Sequence, residues 1–172
     1  MAYVDQPLGA FLALVAEPTP APGGGAVAAV TASLAAGLVA MAGPENSDAV
    51  DTLGRRAAAL ADEDAAAYSE VVQARRAEAS VTDALTRATE IPLEIAATAA
   101  EIARCAAEVF VTGRPSVHGD VRTAALLAEG ATCSAAYLVE INVEAGGGTA
   151  KMVDRARAHV AAARAARELA GG

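Results

Sequence analysis

Hydrophobic and polar positions repeat along this chain with the period of an α-helix. Between residues 81 and 112, apolar or small residues recur at alternating steps of three and four, which places eight of them on one helical face: Leu85, Ala88, Pro92, Ile95, Ala99, Ile102, Ala106 and Val109. Pro92 removes an amide donor and crowds the preceding turn, so we expect a kink near Ile91. A second stripe, further along the chain, is apolar until it reaches one polar member, Asn142.

Proline and glycine clusters divide the chain into about six helices with short connections. We predict helices over residues 8–16, 25–42, 47–79, 81–112, 121–144 and 149–169. Gly43-Pro44 is expected to end the second helix, and Gly146-Gly147-Gly148 the fifth. The pattern contains no convincing strand and no internal repeat. It predicts an all-α, up-and-down helical bundle in a single domain over residues 1–172.

Composition changes this picture in two ways. Of the 172 residues, 49 are alanine, which favours closely packed helices whose individual side chains bury little area. We therefore expect a homodimer that buries more surface. The formal net charge is −8 and Lys151 is the only lysine, so nucleic acid is an unsuitable partner.

The uncharged stretch from Pro18 to Ala42 is long enough to span a membrane. We predict that it does not, because it opens with a Pro/Gly loop, its apolar content is mostly alanine and it is not preceded by any basic residue; the first is Arg55. These features favour a cytoplasmic protein without a membrane partner. Cys105 and Cys133 lie in apolar helical segments and are expected to be buried, reduced thiols.

The loop Pro20–Gly25 leads directly into a helix. Its glycines permit close approach, and the first amides of a helix form a natural site for an anionic or carbonyl-rich ligand. The alternative interpretation is a tight connection between packed helices. Loop chemistry alone favours that alternative.

Asp120, with His118 two residues before it, precedes the predicted fifth helix. A carboxylate beside a histidine suits proton transfer, but Asp is also a preferred helix N-cap that would bind amides at Arg122 or Thr123. Asn142 has two interpretations as well, a ligand contact or a hydrogen bond between helices. Asp120 and Asn142 are separated by about 33 Å along one helix, so they cannot both contact one reacting centre in a single subunit. His118 and His159 do not form a metal-binding pair, and we predict no metal site.

At these residues the chain resembles the cyclodeaminase/cyclohydrolase family of folate enzymes, which includes the C-terminal domain of formiminotransferase-cyclodeaminase. Five motifs carry the resemblance: Pro22-Gly23-Gly24-Gly25 before a helix of small residues, the run Leu60-Ala-Asp-Glu-Asp64-Ala-Ala-Ala-Tyr68, Ile91-Pro92-Leu93, Gly119-Asp120 and Ile141-Asn142. Together they extend over essentially the whole chain.

The resemblance implies an all-α homodimer that acts on one-carbon tetrahydrofolates without a metal or redox cofactor. The reaction would be closure of 5-formiminotetrahydrofolate with loss of ammonia, or hydration of 5,10-methenyltetrahydrofolate to 10-formyltetrahydrofolate. Since no transferase domain is present here to deliver a formimino group, the second is slightly favoured. The resemblance assigns catalysis to Asp120, and we predict that His118, two residues before it, shares this role. Substrate binding is predicted for a further set: Pro22, Gly23, Gly24, Gly25, Asp64 and Asn142.

The chain also departs from the family pattern at candidate polar contacts. Gly119 replaces the usual serine before the aspartate, Leu138 replaces an asparagine, a basic and aromatic segment is replaced by residues 43–48, and the loop at Arg75-Arg76 is shortened. Two alternatives to the folate enzyme therefore stay open: a diverged, non-catalytic folate-binding or assembly protein, and an enzyme of the same fold that acts on another substrate.

Overall fold

The computed structural model describes residues 2–43 and 47–171, with the side chain of Ser47 left out. Six α-helices follow one another in this part of the chain: α1 Leu8–Ala16, α2 Gly24–Ala42, α3 Ser47–Arg76, α4 Thr82–Thr112, α5 His118–Glu144 and α6 Ala150–Leu169. Short 3₁₀ turns lie at Tyr3–Asp5 and Pro115–Val117. No strand occurs within the two described ranges. The prediction of an all-α bundle of six helices is confirmed.

The core is formed by α2 to α6, and each of these helices packs against the next. α2 also contacts α4 and α5, and α6 lies against both α4 and α5. α1 contributes a single buried side chain, Phe11, whose ring meets that of Tyr3 edge to face. α2 is therefore a central helix of the bundle.

Two predicted helix boundaries are wrong by three residues. α3 ends at Arg76 rather than at residue 79, and the backbone reaches a φ of +53° at Glu78 before α4 begins. α5 begins at His118 rather than at residue 121, because the 3₁₀ turn that starts at Pro115 runs directly into it. The remaining ends agree within one residue, while Pro44, the predicted stop after α2, lies outside the described residues.

The stripe predicted on α4 is confirmed, since all eight of its members are buried. The helix continues without interruption through Pro92. The kink near Ile91 stays a prediction. The stripe on α5 is likewise buried, as the side chains of Val121, Ala125, Ala128, Thr132, Ala135 and Val139 show.

Alanine determines how closely the helices approach. On the buried side of α2, eight of nine residues are alanine or glycine, and Val39 is the exception. A Cβ atom placed on Gly54 of α3 would lie 3.1 Å from the Cβ of Ala36 on α2. The two helices are therefore in contact with almost no side chain between them.

Two helical segments, Gly24–Ala42 and Pro115–Glu144, are long and apolar enough to cross a membrane by length and composition. In the bundle, half of the α2 window is buried. Packing against α3, α4 and α5 thus gives a second reason for its apolar sequence. The absence of a membrane partner and the cytoplasmic location stay predictions.

The two cysteines differ in exposure. Both are free thiols, but Cys105 is buried whereas Cys133 is partly exposed on α5. The prediction of two buried thiols is therefore wrong for Cys133, which lies beside the α5 stripe rather than on it. Burial raises the pKa of the Cys105 thiol above its ordinary value.

Candidate active site

A cavity of about 240 Å³ lies where the loop before α2 meets α3, α4 and α5. It brings together five of the residues predicted to bind substrate, although they are spread over more than a hundred positions of the chain. These residues are Gly23, Gly24, Gly25, Asp64 and Asn142. Pro22, the sixth, is buried in the same loop after a cis peptide bond but does not line the cavity.

Asp64 places a carboxylate at the start of α2. It projects from α3 onto Gly25, where an added Cβ would overlap the carboxylate itself. Gly25 is therefore required at this position by close approach and not by an unusual φ angle. Among the three loop glycines, this is the one whose missing side chain the structure explains directly.

Two opposing effects act on the pKa of Asp64. Burial disfavours the charged form, and the backbone of Ala26 hydrogen-bonds to the carboxylate and favours it. Burial is the larger effect and raises the pKa of Asp64 from 3.8 to about 6. A carboxyl group with that pKa is able both to accept and to donate a proton near neutral pH.

The loop supplies backbone groups to the cavity. Gly23 is the N-cap of α2 and has no side chain to satisfy the first amides of the helix. Asp64 occupies the amide of Ala26 from across the bundle, so the predicted ligand site at this helix start is shared with a carboxylate of the protein. Gly24 is exposed, and its added Cβ would meet nothing closer than Leu138 Cδ1 at 4.0 Å.

Asn142 enters the cavity from the last turn of α5. Its Nδ2 donates a hydrogen bond of 2.6 Å to the carbonyl oxygen of Ala88 on α4. In a regular helix that carbonyl accepts from the amide four residues later, which here belongs to Pro92 and does not exist. The interpretation of Asn142 as a hydrogen bond between helices is confirmed, and the side chain lines the cavity as well.

Sequence reasoning did not assign Tyr68 to the site. It lines the cavity one turn after Asp64 on α3. The i to i+4 spacing of the two residues was the available signal, because it places both on one face of a helix. Pro92, Leu138 and Ile141 line the cavity too, and Leu138 occupies the position at which the family pattern has an asparagine.

Comparison with known proteins agrees with the all-α fold. The profile of a family described as formiminotransferase-cyclodeaminase matches residues 7–165. The chain belongs to the formiminotransferase-cyclodeaminase family. A crystal structure described as formiminotetrahydrofolate cyclodeaminase from Thermotoga maritima has the same fold, with a TM-score of 0.89 and 22% identity over 96% of this chain and 93% of that one. A search of curated protein sequences returns no match.

In this member of the formiminotransferase-cyclodeaminase family, Asp120 and His118 lie away from the cavity. His118 is the first residue of α5 and stacks on Phe110, with ring centroids 4.3 Å apart and Nε2 buried without a hydrogen-bond partner in the described residues. Asp120 is exposed in the first turn of α5. The alternative that Asp120 is the N-cap is wrong, because α5 begins two residues earlier and Val117 is its N-cap. The catalytic role of both residues stays a prediction.

Other cavities of this family member differ in character. An apolar groove of about 460 Å³ between α2 and α5 adjoins the first cavity, with which it shares Gly24 and Leu138. A larger cavity of about 600 Å³ lies between α4 and α6, and its lining combines six alanines with the ionisable residues Glu101, Arg104, Glu108 and His159. It contains none of the predicted site residues. The small cavity is thus the place where the predicted substrate-binding residues converge.

Proposed function

We propose that this chain is an enzyme of one-carbon folate chemistry that closes 5-formiminotetrahydrofolate to 5,10-methenyltetrahydrofolate with release of ammonia. One observation carries the proposal: a largely buried carboxyl group, Asp64, lies at a glycine-lined helix start inside a cavity. Family membership supports an enzyme that acts on a folate. The Thermotoga maritima protein of the same fold, described as formiminotetrahydrofolate cyclodeaminase, supports this reaction.

In the proposed reaction, Asp64 moves one proton. The N10 amine attacks the carbon of the protonated formimino group, and the Asp64 carboxylate accepts the proton that N10 loses. The resulting carboxylic acid donates that proton to the former imino nitrogen, which leaves as ammonia while the N5–C–N10 bridge becomes the methenyl cation. Since every step is a proton transfer or a bond change among ligand atoms, the reaction draws on no metal or redox cofactor.

The size of the cavity is consistent with binding one end of a folate. Its volume of about 240 Å³ is below the ~300–1,000 Å³ typical of complete small-molecule sites, whereas the adjoining groove offers about 460 Å³ more. We place the pterin and the one-carbon unit beside Asp64. The benzoyl portion then follows the apolar groove past Gly24 and Leu138.

The same carboxyl group favours a second candidate reaction, hydration of 5,10-methenyltetrahydrofolate to 10-formyltetrahydrofolate. A carboxylate with a pKa near 6 is a competent base for a water molecule that attacks the bridging carbon. Both reactions involve the methenyl compound, in one as product and in the other as substrate.

One assay tests both reactions. Purified protein is mixed with 5-formiminotetrahydrofolate, and the near-ultraviolet absorption of the methenyl product is followed together with ammonia release. A second sample starts from the methenyl compound and follows the loss of that absorption above the uncatalysed rate. Formation of product and ammonia supports the cyclodeaminase, accelerated loss of methenyl supports the cyclohydrolase, and binding without either change favours the non-catalytic alternative.

We also propose a homodimer that covers the outer face of α2. Leu34 and Met41, seven positions apart on that helix, are large hydrophobic side chains that are 62% and 58% exposed in one chain, and neither lines the groove assigned to the folate. Exposed apolar surface of this extent is typical of a protein contact. Light scattering at micromolar concentration should give twice the chain mass of 17.0 kDa. A single-chain mass would contradict the proposal.

A further inference from the structure

The hydrogen bond between Asn142 and α4 results from a specific feature of the sequence. Pro92 has no amide hydrogen, so the carbonyl of Ala88 is left without its helical partner. Asn142 supplies the missing donor from α5 at 2.6 Å. Because a carbonyl oxygen only accepts, the side-chain atom that faces it has to be Nδ2.

The backbone around Asn142 is fixed independently. Its carbonyl accepts from the amide of Gly147 at 2.8 Å, and the carbonyl of Gly147 accepts from the hydroxyl of Thr89 on α4 at 2.7 Å. Gly147 also lies so close to α4 that an added Cβ would be 2.5 Å from the carbonyl oxygen of Leu85. The chain just after α5 is thus held against α4 next to Asn142.

With Nδ2 committed to Ala88, the other branch of the amide is an oxygen that no group in the described residues is seen to bind. Among the described residues, Nε2 of His118 is the only buried side-chain nitrogen or oxygen atom without a hydrogen-bond partner. The unpartnered Oδ1 of Asn142 is therefore not buried. Asn142 lines the same cavity as Asp64. The cavity therefore presents two oxygen acceptors, a carboxylate and an amide carbonyl.

We propose that Asn142 Oδ1 is a fixed acceptor for an N–H of the formimino group, and that Pro92 is a positioning residue that fixes this orientation through the Ala88 carbonyl. The inference rests on the proposed function, since it assigns the reacting nitrogen to a place between Asn142 and Asp64. A formimino nitrogen carries the N–H that such an acceptor selects. In a 5-formyl group the same position is an oxygen, which Oδ1 would repel.

Competition between the two ligands tests the acceptor. For the wild-type chain we expect the KM for 5-formiminotetrahydrofolate to lie about tenfold below the inhibition constant of 5-formyltetrahydrofolate. In Asn142→Ala the two constants should become equal within about twofold, whereas Glu144→Gln, an exposed change two residues away, should keep the wild-type ratio. An unchanged ratio in Asn142→Ala would overturn the inference and leave the proposed function intact.

Wild-type protein that turns over the formimino compound but binds both ligands equally would also overturn it. Protein that neither turns over nor binds that compound by calorimetry would overturn the proposed function and the inference together.

A double-mutant cycle tests the part played by Pro92. Pro92→Ala returns an amide to Ala88 and releases Asn142, so it should reduce the ligand preference about fivefold in the wild-type background and not at all in Asn142→Ala. The double variant should also melt at a higher temperature than Asn142→Ala, because the new amide satisfies the Ala88 carbonyl that the asparagine has left. Additive effects on the preference would show that Pro92 merely packs against the ligand and would overturn its positioning role.

Discussion

Two predicted site residues, Asp120 and Asn142, lie at opposite ends of α5, and their surroundings differ. At the last turn, Asn142 hydrogen-bonds to the Ala88 carbonyl of α4 and lines a cavity together with Asp64 of α3 and the loop before α2. At the first turn, Asp120 is exposed to solvent beside a stacked pair of rings, Phe110 and His118. About 33 Å of helix separates these ends.

The difference shows what makes a carboxylate suitable for proton transfer. Asp64 lies against the start of α2 in a cavity that residues of α4 and α5 also line, and burial of its side chain raises its pKa into the range where proton exchange is useful. Asp120 lies on the surface of a single helix end. The geometry therefore supports Asp64 better than Asp120 as the acid and base, and four predictions test this contrast.

The largest expected effect is on turnover. Asp64→Asn keeps the shape of the side chain but cannot exchange a proton at neutral pH, so kcat should fall by ~10²–10⁴. Asp120→Asn should stay within about threefold of wild type, with helical circular dichroism preserved in both variants. The opposite result, loss in Asp120→Asn and activity in Asp64→Asn, would reverse the comparison and restore the catalytic role predicted for Asp120 from the sequence.

The next effect is on stability and depends on pH. The pKa of Asp64 is about 6 in the folded chain against an ordinary 3.8, so its ionisation weakens the fold progressively between pH 4 and pH 6 and fully above that. Asp64→Asn should therefore increase the free energy of unfolding at pH 8 by up to ~3 kcal/mol and leave it unchanged below pH 4. Urea unfolding at both pH values measures this. Asp51→Asn, an exposed change on the same helix, should change stability by less than ~0.5 kcal/mol at either pH.

A smaller loss of stability is expected at Gly25. In Gly25→Ala the new methyl group overlaps the Asp64 carboxylate, which should cost ~1–3 kcal/mol and displace that group from the cavity. Gly37→Ala on the same helix meets nothing within 4 Å and should stabilise the fold slightly, since alanine favours helix. Equal melting temperatures for the two variants would mean that α2 and α3 can move apart at this contact without a loss of stability.

The smallest effect is expected at the neighbouring glycine. Gly24→Ala adds a methyl group that the protein itself accommodates, so unfolding should become harder by ~0.4–1 kcal/mol. The same methyl group points toward the space that we assign to the folate, and the KM should rise about fivefold, equivalent to ~1 kcal/mol. An unaltered KM would make Gly24 part of a turn only, and would confine the ligand contact to Asp64 and Asn142.

Local patterns were sufficient to predict the helices. The α4 stripe was predicted correctly from residue spacing because a period of 3.6 is fixed within a few turns of one helix. The start of α5 was misplaced since a 3₁₀ turn after Pro115 leads smoothly into the helix, and neither Val117 nor His118 carries a capping signal. Helix ends depend on such details of one or two residues.

The site could be predicted only in part. Gly25 and Asp64 each belong to a recognisable motif, but their contact depends on how α2 packs on α3, which no local spacing encodes. The missing amide of Pro92 was visible in the sequence, and it leaves the Ala88 carbonyl without its helical partner. That the donor would be Asn142, 54 positions away, followed only from the fold.

The contact between Ala36 and Gly54 has a consequence for how this protein can vary. Alanine and glycine lose no side-chain rotamer freedom on burial, so the free energy gained by burying their small surfaces is not reduced by a loss of side-chain entropy. Such a contact allows no enlargement, however, because any larger residue would wedge the two helices apart. The same two helices carry Gly25 and Asp64 about three turns away. The distance between the helices at Ala36 and Gly54 therefore also sets the distance between the Asp64 carboxylate and the start of α2.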